Sequence, residues 1–258
     1  MRKRLISALI ALIIVVPLII LGGIPYQIGI GIFTILGFKE IIELIEKNNS
    51  IHILIKLLSY LSVVLLALCQ DSILPCMCLI FLFIFLPLVF FKEETYNYET
   101  ASKLFGSIIL TGIIFYLLLT IRLGSIDEFI YLLLISILTD TFAYLGGNLI
   151  GKHKLLPRVS PNKTIEGSIC GLIMGTIIPT IYYIYMVDPG ISFILIILVT
   201  IVLSIVGQFG DLIFSAIKRN YKIKDFSNIM PGHGGIMDRL DSISFIMIAF
   251  TIIKMLIL

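Results

Sequence analysis

Between residues 210 and 242 the chain interleaves carboxylates with cations. Asp211, Asp225, Asp238 and Asp241 alternate with Lys218, Arg219, Lys222, Lys224 and Arg239. Asp211 and Ser215 are four residues apart and Lys218 lies three further on. On a helix that spacing puts a carboxylate, a hydroxyl and an ammonium on one face. Pro231-Gly-His233-Gly234-Gly235 follows. Glycines there let backbone approach a ligand closely, and successive free N–H groups can nest an anion. Asp238 and Asp241 are spaced i, i+3; either suits a metal ion, and Asp241-Ser242 also suits a helix N-cap. The combination is what phosphoryl or nucleotidyl transfer requires. A nucleotide repels a nucleophile that is itself a phosphate, and Mg²⁺ held by carboxylate oxygens neutralises that charge. Two structural readings compete. The basic residues alone also suit contact with anionic headgroups, and Asp211 with Lys218 also suits an ion pair at a membrane boundary.

A second polar stretch runs from Gly151 to Gly167: Gly151-Lys152-His153-Lys154, then Ser160-Pro161-Asn162-Lys163-Thr164-Ile-Glu166-Gly167. Ser-Pro-Asn-Lys-Thr reads as a turn leading into a helix, with Thr164 near the N-cap. The first N–H groups of that helix could receive phosphate, with Lys163 beside them. A turn and cap alone also account for Ser160 and Pro161, but less well for Lys163 and Glu166. Asp140, flanked by Thr139 and Thr141, is a carboxylate within an apolar run, with Tyr144 four residues later. Such a residue is a functional candidate by default, and a hydrogen-bonded structural role is its alternative. His52 reads as interfacial. His153 reads as a phosphate or headgroup contact, or neither.

The elements that must hold these residues are apolar. Of 258 residues, 59% are hydrophobic, mean hydropathy is +1.12 and 14% are charged. A soluble domain has roughly a quarter of its residues charged. Apolar runs long enough to cross a hydrocarbon core recur along the chain. The expected fold is all-α: a polytopic transmembrane helix bundle of about nine spans. These lie at roughly 5–21, 24–41, 52–70, 73–91, 104–122, 127–150, 167–186, 190–212 and 241–257. Arg2, Lys3 and Arg4 precede the first run, which reads as an uncleaved span with a cytoplasmic N-terminus. On that topology, of the 19 Lys and Arg residues only Arg122 and Lys254 fall clearly outside. The expected organisation is an N-terminal membrane bundle, 1–103 (the first four spans), and a catalytic membrane domain, 104–258. The latter carries cytoplasmic loops 151–167 and 213–240. Net charge is only +3, which gives no case for nucleic acid. Cys69, Cys76, Cys78 and Cys170 read as buried, bland thiols. No internal repeat is visible, which argues against an inverted-repeat transporter.

The motifs resemble those of the CDP-diacylglycerol synthases, the phosphatidate cytidylyltransferases. That family's C-terminal signature is met by Ser215-x-x-Lys218-Arg219, Lys224-Asp225, Pro231-Gly-His233-Gly234-Gly235 and Asp238-Arg239-x-Asp241. Asp140–Tyr144, Gly151–Lys154 and Ser160–Gly167 are also similar, with Asn162 where lysine is common. The resemblance extends over about residues 136–245. It implies that phosphatidic acid attacks CTP, giving CDP-diacylglycerol and pyrophosphate. It also implies Mg²⁺, with K⁺ as a second cation, at Asp211 and Asp238. On this reading Asp211, Asp238, Lys218, Arg219 and Asp241 are catalytic. Asp140, Ser160, Asn162, Lys163, Thr164, Glu166, Ser215, Lys224, Asp225, His233, Gly234, Gly235 and Arg239 bind substrate. It further implies a multi-pass protein, with a bacterial-type plasma membrane as its expected location, a site facing the cytoplasm, and pairing as homodimers. The alternative is a CTP-dependent kinase of a polyprenol or phytol, whose nucleotide product would be CDP.

Overall fold

The computed structural model of the chain describes residues 2–47, 51–69, 73–92, 96–230, 232 and 234–257, with side chains from residue 9 on. The described elements are almost all helical. They are α1 (Arg2–Leu21), α2 (Gly23–Glu46), α3 (Ile53–Leu68), α4 (Ile73–Phe85), α5 (Pro87–Phe90), α6 (Tyr98–Gly124), α7 (Ile126–Ile150), α8 (Ile165–Tyr182), α9 (Phe193–Asn220) and α10 (Asp241–Leu256). Among the described residues, five helical stretches are long and apolar enough to cross a membrane: Ile73–Phe90, Tyr98–Gly124, Ile126–Ile150, Ile165–Val187 and Phe193–Asn220. The protein is therefore an all-α integral membrane protein. Helices also cover the other apolar runs, but these are shorter or more polar. The described apolar part of α1 is Leu9–Leu21, and α3 and α10 have 16 residues each. α2 carries Lys39, Glu40, Glu43 and Glu46 in its last two turns.

Local chemistry sets the helix ends. Ser125 caps α7, its side chain accepting from Glu128 N at 3.2 Å, with Asp127 and Glu128 in the first turn. Thr164 caps α8, accepting from Gly167 N at 3.1 Å, as its position in the sequence suggests. His52 caps α3 through Nδ1, which accepts from Leu54 N at 3.3 Å. At the other end of α9, Lys222 N–H donates to Arg219 O and Ile223 N–H to Lys218 O, both at 3.0 Å. This is the paired bonding of a Schellman motif, and Lys222 takes its left-handed position at φ 55°, where glycine is usual.

One segment departs from the helical expectation. Lys154–Leu156 (β1) and Ser160–Thr164 (β2) form an antiparallel hairpin, with Lys154 opposite Thr164 and Leu156 opposite Ser160. Ser160 and Pro161, expected in a turn, are in β2; the reversal is at 157–159. The physical reason is that a residue before proline is driven to extended backbone and proline itself tolerates an edge strand.

Packing divides the chain into two compact units: Met1–Leu123 with Asp225–Asp238, and Gly124–Lys224 with Arg239–Leu258. These are units of contact, whereas the sequence boundary at 103/104 follows the first four apolar runs. In the first unit Phe38, Ile42, Ile45, Ile55, Val63, Leu66, Ile80, Ile84, Leu104 and Ile108 make a continuous core from α2, α3, α4 and α6. Tyr96 enters it with its hydroxyl donating to Ile84 O at 2.8 Å. In the second unit α8 lies directly on α7. A Cβ at Gly171 would stand 2.5 Å from Thr139 O and 2.9 Å from the Ala143 methyl. Buried hydroxyls there are mutually satisfied: Tyr131 Oη with Thr200 Oγ1 at 2.8 Å, and Thr139 Oγ1 with Ser204 Oγ at 2.9 Å. Unpaired, each would be costly in apolar surroundings.

Candidate active site

The second unit collects charges from four elements. Lys163, on β2, forms an ion pair with Asp211 on α9. Ser215 Oγ donates to Asp211 Oδ1 at 3.3 Å, as the i, i+4 spacing predicts. Lys218, one turn further, is buried at 8% exposure. Asp241 begins α10, and its Oδ1 accepts from Ser242 N at 2.9 Å. It is thus the first helical residue and not the N-cap, which is Leu240. Ser242 Oγ donates to Asp140 Oδ1 on α7 at 3.4 Å. Asp140, Asp211 and Asp241 act on one another electrostatically, opposed by Lys163, Lys218 and Arg239. Asp140 is exposed, so the cluster opens to the surface of its unit. Tyr144, on the same helix, is 70% exposed.

The hairpin that carries Lys163 is tied to the start of α8. Glu166 accepts from Lys152 N at 3.0 Å, from His153 N at 3.2 Å, and pairs with His153 Nδ1 at 2.6 Å. Ile165 N donates to His153 O at 2.9 Å. Glu166, read from sequence as a substrate contact, and His153, read as a phosphate or headgroup contact or neither, are engaged with each other. Arg219 reaches the reversal: Nε donates to Val159 O at 3.3 Å and Nη1 to Ile223 O at 3.0 Å. Ser160 is half-buried, while Asn162, Lys224, Asp225 and Arg239 are exposed.

The glycine loop belongs to the first unit, and there the nest is already filled. Asp238 Oδ2 accepts from Phe226 N at 2.8 Å and Gly235 N at 2.9 Å. Glu40, near the end of α2, accepts from Ile236 N at 2.8 Å, Met237 N at 3.0 Å and Ser227 Oγ at 2.7 Å. Thus the successive amides of Gly235, Ile236 and Met237 face two carboxylates of the protein, not solvent. Gly235 leaves room for that approach, since a Cβ there would overlap both Glu40 oxygens and oblige the carboxylate to shift. Gly234 adopts φ 83° and its carbonyl accepts from Met230 N at 3.0 Å. His233 lies outside the described residues. Glu40 was not singled out from the sequence. Its signal was a carboxylate toward the end of an apolar run, a weaker form of the signal that marked Asp140 within one.

Among the described residues no group of three His, Cys, Asp or Glu side chains is gathered closely enough to hold a metal ion unaided. The donor chemistry of Asp211 nonetheless fits a hard cation, because its carboxylate already faces the ammonium of Lys163. Asp238 has one oxygen committed to two amides, which fixes the orientation of the carboxylate.

Carboxylates opposed by lysines within an apolar helical protein define a membrane protein suited to phosphate chemistry. The comparisons narrow this class. The cytidylyltransferase family matches the chain over residues 2–257, and the chain belongs to that family. The phosphatidate cytidylyltransferase of Staphylococcus haemolyticus (strain JCSC1435) is 37% identical over 251 residues, covering 96% of each chain. Those of Staphylococcus saprophyticus and of Staphylococcus aureus (strain COL) are 36% and 35% identical over 254 residues, again covering 96% of each chain.

Proposed function

We propose that this protein transfers CMP from CTP to phosphatidic acid, giving CDP-diacylglycerol and pyrophosphate for phospholipid biosynthesis. The observation that carries the reading is the Lys163–Asp211 pair within the Asp140, Asp241 and Lys218 cluster, in a chain similar along its length to phosphatidate cytidylyltransferases. A phosphate oxygen of the lipid attacks the α-phosphorus of CTP. One phosphorus–oxygen bond forms, the bond to the bridging oxygen of the β-phosphate breaks, and pyrophosphate leaves. No side-chain nucleophile is needed, because the lipid phosphate is one. The protein's work is positioning and charge neutralisation. Lys163 and Lys218 serve the phosphates, and Arg219 ties the hairpin reversal to the chain beyond α9.

Asp211 and Asp238 are the residues proposed to hold Mg²⁺, with K⁺ as the second cation. Bound there, the metal would offset triphosphate charge and polarise the phosphorus under attack. The same reading has about nine spans, a cytoplasmic N-terminus, and a site on the cytoplasmic face of a bacterial-type plasma membrane. CTP then arrives from water and the lipid headgroup from the interface. It also has the protein pairing as a homodimer, which cross-linking in membranes checks. The kinase alternative is not favoured by the relatives' activity.

The test is purified protein in detergent with CTP, phosphatidic acid and Mg²⁺. CDP-lipid and pyrophosphate should appear in equal amounts, and Asp211→Asn or Asp238→Asn should abolish both. Full activity in either variant would overturn the metal assignment, and release of CDP would overturn the reaction.

A further inference from the structure

Glu40 is the most deeply buried carboxylate among the described residues, at 1% exposure, and the proposed chemistry does not use it. A charge so placed is strongly unfavourable unless its hydrogen bonds are complete. Here they come from Ser227 Oγ, Ile236 N and Met237 N, all on the loop that carries Asp238. Asp238 takes the amides of the residues just before Ser227 and Ile236, namely Phe226 N and Gly235 N. The two carboxylates therefore grip the same loop: Glu40 anchors it to α2, and Asp238 closes it on itself. A Cβ at position 235 would overlap both Glu40 oxygens, so the Glu40 carboxylate would have to shift to admit it.

We infer that Glu40 is a positioning residue for Asp238: it contacts no substrate, but fixes the loop from which the Asp238 carboxylate is presented. The inference rests on the proposed reading for Asp238 as a cation-holding group, and on the geometry alone for the anchoring. Partners that orient a ligand without touching the ion typically change metal affinity or activity by about 10- to 100-fold when removed.

The experiment compares wild type with Glu40→Gln, and with Gly235→Ala, which disturbs the same contact from the loop side. In Glu40→Gln an amide N–H₂ replaces one acceptor oxygen and meets a backbone N–H. Hydrogen exchange in detergent, without nucleotide or metal, should show faster exchange in 235–237 in both variants, with α6 to α9 unchanged. In the cytidylyl assay both variants should need about 10-fold more Mg²⁺ for half-maximal rate, with high Mg²⁺ restoring most of it. A variant merely less well folded would lose maximal rate without a shift in Mg²⁺ requirement, and that result would overturn the positioning role. Unchanged exchange in 235–237 would overturn the anchoring. If wild type itself makes no CDP-lipid, the reaction assignment fails, while the exchange measurement still decides whether Glu40 holds the loop.

Discussion

Lys163 and Asp211 meet across elements that the chain forms far apart: the ammonium is carried by the second strand of the hairpin, the carboxylate by α9. Both side chains are about three-quarters covered, at 28% and 21% exposure, so solvent screens the pair only in part. Lys163 is the cation proposed to meet the phosphates of CTP. Replacing it by alanine should lower kcat/KM for CTP by about 100- to 1000-fold, the range typical of losing one preorganised donor to a developing oxyanion. Lipid-dependent pyrophosphate release measures it, and a change under threefold would remove Lys163 from the site.

The hairpin that presents Lys163 leans on the cap of α8. Thr164→Ala removes the acceptor for Gly167 N and should lower stability by about 1 kcal/mol, while Thr164→Ser should retain most of it. Thermal unfolding in detergent distinguishes them. Equal midpoints for the two variants would show that the hydroxyl is not what matters.

Lys222 occupies the left-handed position after α9, where a side chain is strained by about 1 kcal/mol. Lys222→Gly should therefore raise the unfolding midpoint, although a cation is lost from the region. A lower midpoint would mean that the lysine side chain contributes more than its backbone strain costs.

The contact between α7 and α8 has no room for one methyl group at Gly171, because Thr139 O and the Ala143 methyl already fill that space. Gly171→Ala should destabilise by about 1–3 kcal/mol, the usual range for overpacking. The readout is the fraction of protein surviving graded heating in detergent. Wild-type survival would show that the two helices separate easily.

Much of this was legible in the sequence. Apolar runs marked the helices because a chain in lipid must satisfy its backbone internally. The i, i+4 spacing placed Ser215 on Asp211, and Thr164 was readable as a cap because capping is local. The hairpin was less legible: Ser-Pro-Asn-Lys-Thr suits a turn or an edge strand, and only pairing with Lys154–Leu156 decides between them. The glycine loop was read as open to a ligand because nothing local shows that its amides are occupied. The occupant is Glu40, 196 residues from Ile236.

By itself, then, the sequence determined that the protein is helical and membrane-embedded, and which carboxylates and lysines are candidates for phosphate chemistry. Those properties follow from composition and short-range periodicity. The tertiary structure alone decided which charge answers which. It joined Lys163 to Asp211, turned Glu166 onto His153, and gave the amides of residues 236 and 237 to Glu40. A buried charge takes whatever partner folding brings within hydrogen-bonding distance, and that distance is not written in residue spacing.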